Sequence, residues 1–200
     1  MSKQIGLSFA TEAMRAMLDG RKTQTRRVIA PSNSLWDHKA CAWFDISGNV
    51  IDHITSRIQC GDLLYWANEP IRISATWVVD ENKVAIYSCF DRTSRTVKIP
   101  DRIKPPKVGR WLGRHLPPEW ARPDRWLVKS VRPERLQEIT PTDCTDEGCP
   151  ESLGGEYAVD GLHSNVVWFS KSWDRVNIKR GYPWSQNDWV WVFEFEKVEA

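Results

Sequence analysis

The chain has little net charge, few histidines, no CxxC pair and no long apolar run, and each shortage excludes something. A formal net charge of +2 over 200 residues makes the molecule as a whole a weak attractor for a long nucleic-acid duplex. The five cysteines, Cys41, Cys60, Cys89, Cys144 and Cys149, are odd in number. With no secretory leader ahead of them, reduced thiols in a cytoplasm are expected. Cys144 and Cys149 with His163 lack a fourth ligand and the usual zinc spacing, so no metal is expected, and no cofactor is implied. No apolar stretch approaches the length of a membrane span, so no membrane partner is expected. Internal repeats and low-complexity tracts are also missing.

Tryptophan, by contrast, is abundant, with 12 residues. Some must be core, but so many also suggest a surface on which rings stack. Charge is unevenly spread. Cations cluster at 21–27 and from 102 to 135, and acids gather at 143–156. That pattern suits an anionic partner at a local patch.

The densest chemistry lies in Gly20-Arg21-Lys22-Thr23-Gln24-Thr25-Arg26-Arg27. Here a possible nucleophile, a possible base and several anion-binding groups are contiguous. The segment follows a predicted helix in which Thr11 serves as N-cap, Glu12 sits at the positive end, and Ala10, Met14, Met17 and Leu18 mark one face. Gly20 is placed to end that helix, and the helix dipole favours cations beyond it.

Elsewhere, residues 4–8 form a short first strand, and 31–60 an irregular excursion with strand character near 42–46. After a turn at Cys60-Gly61-Asp62, residues 63–67 read as a buried strand ending near Glu69-Pro70. Residues 71–79 and 84–89 read as a hairpin. The stretch from about 91 to 125, rich in prolines and cations, reads as a long functional loop inserted in one domain spanning 1–200. A strand at 126–131 follows. Thr140-Pro141-Thr142-Asp143 starts a short helix that Gly148 stops. A second amphipathic helix over 165–177 presents Val166, Phe169, Trp173 and Val176. In the closing strand Trp189, Trp191, Phe193 and Phe195 alternate as core. The sum is an α+β domain, most economically a small mixed β-barrel with short flanking helices.

Taken in order, these pieces resemble the ASCH domain family. The matching residues are Leu18-Asp19-Gly20-Arg21-Lys22-Thr23-Gln24-Thr25-Arg26-Arg27, Gly61-Asp62-Leu63-Leu64-Tyr65-Trp66, Arg135-Leu136-Gln137-Glu138-Ile139-Thr140 through Glu147-Gly148, and Trp189-Val190-Trp191-Val192-Phe193-Glu194-Phe195. In particular the chain looks like the longer ASCH proteins of bacteriophages and prophages. The resemblance implies a PUA-like β-barrel. It also implies either an RNA-binding module or, as in small bacterial members, an amidohydrolase that removes the acetyl group from N4-acetylcytidine. Carried over by motif, the catalytic residues would be Lys22, Thr25 and Glu147.

In that chemistry Thr25 attacks the acetyl carbonyl. A neutral Lys22, its pKa lowered by burial and by neighbouring arginines, takes the proton. Glu147 binds the exocyclic NH or carries a proton to the leaving amine. Residues i and i+3 point oppositely on a straight strand, so Lys22 and Thr25 converge only if the chain bends after Gly20. Arg21, Arg26 and Arg27 would bind the anionic part of the ligand, Trp66 or Trp36 would stack on the base, and Glu69 could line the pocket. The expected partner is a nucleoside or single-stranded RNA. Two other readings fit the same residues: a non-catalytic RNA-binding module, and a phage accessory protein whose inserted loop meets a protein partner.

Overall fold

A computed structural model of the protein describes residues 2–29, 35–37, 42–44, 50–51, 56–67, 71–75, 83–88, 94–99, 111–112, 124–150 and 161–198. Helices and strands are mixed. Twelve strands are assigned among these residues: β1 (Gln4–Leu7), β2 (Gln24–Val28), β3 (Leu35–Asp37), β4 (Ala42–Phe44), β5 (Val50–Ile51), β6 (Leu63–Trp66), β7 (Ile71–Ala75), β8 (Lys83–Ser88), β9 (Ser94–Lys98), β10 (Trp111–Leu112), β11 (Arg125–Arg135) and β12 (Trp189–Val198). The helices are α1 (Thr11–Leu18), α2 (Pro141–Asp146) and α3 (Ser164–Asn177).

Three sheets result. A mixed five-stranded sheet has the order β1-β6-β11-β12-β2, a four-stranded sheet β10-β7-β8-β9, and a three-stranded sheet β3-β4-β5. The large sheet is open, with β1 and β2 at its two ends rather than paired to close the expected barrel. The chain gathers into two compact units. One holds Met1–Asp19, Gly61–Leu127 and Glu196–Ala200; the other holds Gly20–Cys60 and Val128–Phe195.

In the first unit β1 runs parallel to β6, with Gly6 opposite Tyr65. A Cβ on Gly6 would lie 2.8 Å from the outer end of the Tyr65 side chain, so any larger residue here would have to push that ring aside. The turn before β6 has Gly61 at φ +88°, and Asp62 accepts a hydrogen bond from the Lys3 amide at 2.9 Å. Helix α1 buries Met14 and Met17 as read, together with Ala16, whereas Ala10 is exposed and Leu18 half-buried. Its cap differs from expectation: Ala10 occupies the N-cap position with no side-chain bond, and Thr11 is already helical. Gly20 does leave the helix in the left-handed region, at φ +74°.

The hairpin expected from 71 to 89 is present as β7 and β8, paired antiparallel with a bulge between Ile73 and Ala75. The stretch read as a long inserted loop contributes two strands to this sheet, β9 against β8 and β10 against β7. Its prolines lie outside those strands, and this is how a proline-rich segment still supplies paired backbone. Likewise 31–60 contains a small antiparallel sheet and not only the strand foreseen near 42–46.

In the second unit the core joins Leu136, Ile139, Cys144, Cys149, Val166, Phe169, Trp173, Val190 and Val192. Strand β12 is buried on both sides, since Val190 and Val192 are as enclosed as Trp189, Phe193 and Phe195. The aromatic alternation foretold only one of these faces. On α3, Val166, Phe169 and Trp173 are buried as read, but Val176 is 48% exposed and Asn177 takes the inner position. Both 176 and 177 lie within a turn of Trp173, at i+3 and i+4, so spacing alone does not choose between them.

Replacing Phe169 by alanine should therefore cost about 3–5 kcal/mol of stability. Val176→Ser should stay within about 0.5 kcal/mol. Urea unfolding of the two variants beside the parent chain measures both. Equal losses would contradict the assigned faces.

Candidate functional site

The site is built from β2 and the C-terminal end of α2, both within the second unit. Among the described residues strand β2 is an edge strand that pairs with β12 alone, in the register Thr25↔Phe193 and Arg27↔Trp191. Phe195 N–H donates to Thr23 O at 2.8 Å and Ile29 N–H to Trp189 O at 2.9 Å. Odd-numbered residues thus turn their backbone groups toward β12, and even-numbered ones toward the open edge.

Helix α2 meets that edge. Its start is the one read from sequence: Thr140 and Asp143 form a capping box, with Pro141 in the first turn. Its end is a Schellman motif. Gly148, at φ +95°, donates to Thr145 O, and Cys149 donates to Cys144 O at 3.0 Å. The motif makes Glu147 the C-cap residue and sets its backbone against β2, where Lys22 and Glu147 form an isolated antiparallel bridge.

Thr23 is where the chain changes partner. Its N–H donates to Asp146 O at 2.8 Å, whereas its C=O receives Phe195 N–H. In a regular antiparallel strand both groups serve one neighbour. Thr23 thus passes the chain from α2 to β12, but the convergence of Lys22 and Thr25 expected from a bend after Gly20 does not follow, since the side chains alternate along β2.

The Lys22 ammonium makes three hydrogen bonds: to Gln24 O at 2.7 Å, to Glu147 O at 3.0 Å and to Glu147 Oε2 at 2.5 Å. These use all the donors a protonated lysine has. Lys22 is 4% exposed and Glu147 8%. The other carboxylate oxygen, Glu147 Oε1, accepts from Arg26 Nη1 at 3.2 Å. Arg26 Nη2 donates to Glu134 Oε1 at 2.8 Å and lies 3.5 Å from Asp143 Oδ2. Gln24 joins the pair, accepting from Arg26 Nη1 at 2.5 Å and donating to Asp143 Oδ1 at 3.2 Å. Arg132 completes the cluster with Glu134, Asp143 and Glu194. The Arg26 guanidinium also stands 5.8 Å from the centre of the Phe169 ring.

Three cations and four carboxylates thus share one partly buried network. Burial lowers the Lys22 pKa below the ordinary lysine value; Glu147 opposes this, and Arg27 and Arg26 reinforce it. Burial also works against the charge on Arg26, but Glu147, Glu134 and Asp143 outweigh it and hold the guanidinium charged. Burial lowers Arg27, with Arg180 adding to the effect. Asp143 is held below the usual carboxylate range despite burial, by Thr140, Arg26 and Gln24.

Of the residues read from sequence, Lys22 and Glu147 are brought together across 125 positions. Thr25 is buried beside them in the chain, but alternation along β2 puts its side chain with Arg27 on the face opposite Gln24 and Arg26. The Lys22 ammonium sits at the carbonyl of the peptide leading into Thr25. Arg26 turns inward onto carboxylates instead of facing an anionic ligand, and Arg21, exposed, donates to Gly148 O at 3.3 Å. Trp66 belongs to the first unit, where it is 3% exposed, tilted against Trp126 at 4.8 Å, and donates to Met17 Sδ at 3.3 Å. It is a core ring, not an open stacking platform. Glu69 and the Trp36 side chain lie outside the described residues.

Gln24, Arg132, Glu134 and Asp143 were not anticipated as members. The available signal was the alternation Lys22-Gln24-Arg26, which marks one strand face. Cys144, once weighed as a zinc ligand, is core, its thiol pushed up to about 12 by burial. Among the described residues no group of three or more His, Cys, Asp or Glu is placed to hold a metal ion. Nor is any helix there long and apolar enough to cross a membrane. Comparison with family models, with curated proteins and with solved structures finds no match for this chain.

The network predicts an asymmetry. Glu147→Leu strands a buried ammonium and should cost about 3–5 kcal/mol. Lys22→Met leaves Glu147 still paired with Arg26 and should cost roughly 1–3 kcal/mol. The double variant should lose less than the two singles together, as a double-mutant cycle by urea unfolding would show.

The pH dependence follows from the lowered Lys22 value. Below it, folded and unfolded chains both keep this proton, and burying the charge costs stability. Between that value and the ordinary 10.5, the unfolded chain binds more protons, so stability rises with pH across this window. The rise should be present in the parent chain and missing in Lys22→Met when unfolding is followed from neutral to alkaline pH.

Proposed function

We propose that the chain is a hydrolase of the ASCH type acting on the amide of an acylated pyrimidine nucleoside, with Lys22 and Glu147 as its proton-transfer pair. The observation that carries this is the enclosed 2.5 Å contact between Lys22 Nζ and Glu147 Oε2. One proton moved within the pair converts ammonium and carboxylate into a neutral amine and a carboxylic acid. Burial, which lowers the Lys22 pKa, works toward the neutral amine. The neutral state holds a base and an acid side by side. Those are the two groups amide hydrolysis requires: the amine accepts the proton of the attacking O–H, the acyl C–O bond forms, the C–N bond breaks, and the carboxylic acid protonates the departing amine.

Arg26 supports the role by holding Glu147 Oε1 at 3.2 Å. Thr25 is the motif's candidate for the attacking hydroxyl, in which case the acyl-threonine ester that forms is cleaved by water in a second step that releases acetate. With its side chain on the opposite strand face, water activated by Lys22 is the alternative attacking group, and kinetics distinguish the two.

A second reading rests on a specific observation. All three donors of Lys22 are already satisfied, which is also what a purely structural ion pair would show. In that reading the domain binds a nucleoside or single-stranded RNA without turnover.

Incubation with N4-acetylcytidine should release cytidine and acetate. Lys22→Met and Glu147→Gln should each lower kcat by roughly 100-fold or more, the scale of a lost general acid or base. Thr25→Ala should abolish turnover if the hydroxyl attacks, and should leave kcat near the parental value if water does. Absence of turnover on acylated nucleosides by the folded parent chain would leave the binding reading in place of the hydrolase.

A further inference from the structure

The motif cations that suggested a nucleic-acid surface are largely consumed inside the protein, yet another row of cations stands open. Helix α3 and the 3-10 turn that extends it, Ile178–Arg180, carry Lys171, Arg175 and Lys179, all exposed. They recur every fourth residue, about 6 Å apart along a helix. The row lies on the side of α3 away from Val166, Phe169 and Trp173, which fill the core. Among the described residues none of the three forms an ion pair. Arg180, also exposed, flanks the row and bonds only its own turn, donating to Asn177 Oδ1 at 2.9 Å. Asp174, the acid in this helix, accepts from the Trp184 amide at 2.6 Å.

Like charges at i and i+4 oppose helix formation by a few tenths of a kcal/mol per pair. The helix dipole offsets this for Arg175 and Lys179 near the C-terminus but does little for Lys171 in mid-helix. Trp168 shares the row by spacing, three residues before Lys171. It is half-buried, with part of the ring against the core and the rest left accessible. A line of cations beside an accessible aromatic is the pattern that tracks a single-stranded backbone while a base stacks.

We infer that the solvent face of α3 is a binding surface for a single-stranded polynucleotide, with Lys171, Arg175 and Lys179 on successive phosphates and Trp168 against a base. This surface is distinct from the Lys22–Glu147 site and does not require amide turnover, so the two can fail separately.

The test titrates the full chain with oligouridylate, with oligodeoxythymidylate of equal length, with a duplex, and with vesicles of anionic lipid, over a range of salt. Both single strands should bind, more tightly than the duplex, and the vesicles should not. Lys171→Gln/Arg175→Gln/Lys179→Gln should weaken binding at low salt by roughly tenfold or more. It should also reduce the slope of log affinity against log salt by about 2, since each phosphate contact on a single strand contributes about 0.7. The charge-preserving Lys171→Arg/Arg175→Lys/Lys179→Arg chain should bind like the parent, and circular dichroism should show both variants folded. The inference is overturned by a parent chain that does not bind, by a neutral variant with parental affinity and slope, by a duplex that binds as well as the strands, or by vesicles that bind where oligonucleotides do not.

Discussion

An edge strand with unpaired backbone groups is exposed to any other strand that comes near. Strand β2 meets this constraint with the end of a helix instead of another strand. The Glu147 backbone lies against Lys22, Thr23 N–H is taken by Asp146, and the Lys22 ammonium covers the carbonyl of Gln24. The rest of the second unit follows from this contact. The Schellman turn at Gly148 must end α2 at one residue and no other, so that Glu147 falls beside Lys22. The capping box at Thr140 sets where that helix begins and hence where it can end. The core beneath, from Leu136 through Val192, fixes the distance between helix and strand.

Burying a lysine this way is expensive unless every donor is met and the charge is countered. Both conditions hold, and the counter-charge is itself shared. Glu147 serves Lys22 with one oxygen and Arg26 with the other. Arg26 in turn draws on Glu134 and Asp143. The network therefore has no isolated pair to remove. The loss of Glu147 is felt by both cations, whereas the loss of Lys22 is felt chiefly by one carboxylate.

Much of this was legible in particular residues. Thr140-Pro141-Thr142-Asp143 is a start signal whose physics is local, since each group meets a partner within three positions, and the structure has it as read. Gly20 and Gly148 announce left-handed turns that β-branched residues could not make, and both are present. What was not legible depended on distant partners. Nothing near Arg26 in sequence says that it turns inward, because Glu134 and Asp143 reach it from more than a hundred positions away. Trp66 reads like any other aromatic until Trp126 covers it. Strands β9 and β10 were hidden because prolines between short strands dominate the composition, while pairing is decided by neighbours outside the segment.

The distribution of cations carries the last step. A net charge of +2 and a motif dense in arginine and lysine suggested a basic patch at 21–27, beside the cations from 102 to 135, most of which lie outside the described residues. The structure sorts its cations by the cost of desolvation. Lys22 and Arg26 on the inner face of β2 have carboxylates within hydrogen-bonding reach inside the protein. Those on the outer face of α3 have no such partners among the described residues and keep their full hydration. An incoming phosphate must displace water from a cation in either place. At Lys22 or Arg26 it must also displace a buried carboxylate and leave that carboxylate uncompensated. At Lys171, Arg175 or Lys179 it displaces only water and counterions, and the counterions gain entropy on release. Attraction for a polyanion is therefore governed by which cations lack an internal partner, and in this fold that criterion selects the helix over the motif.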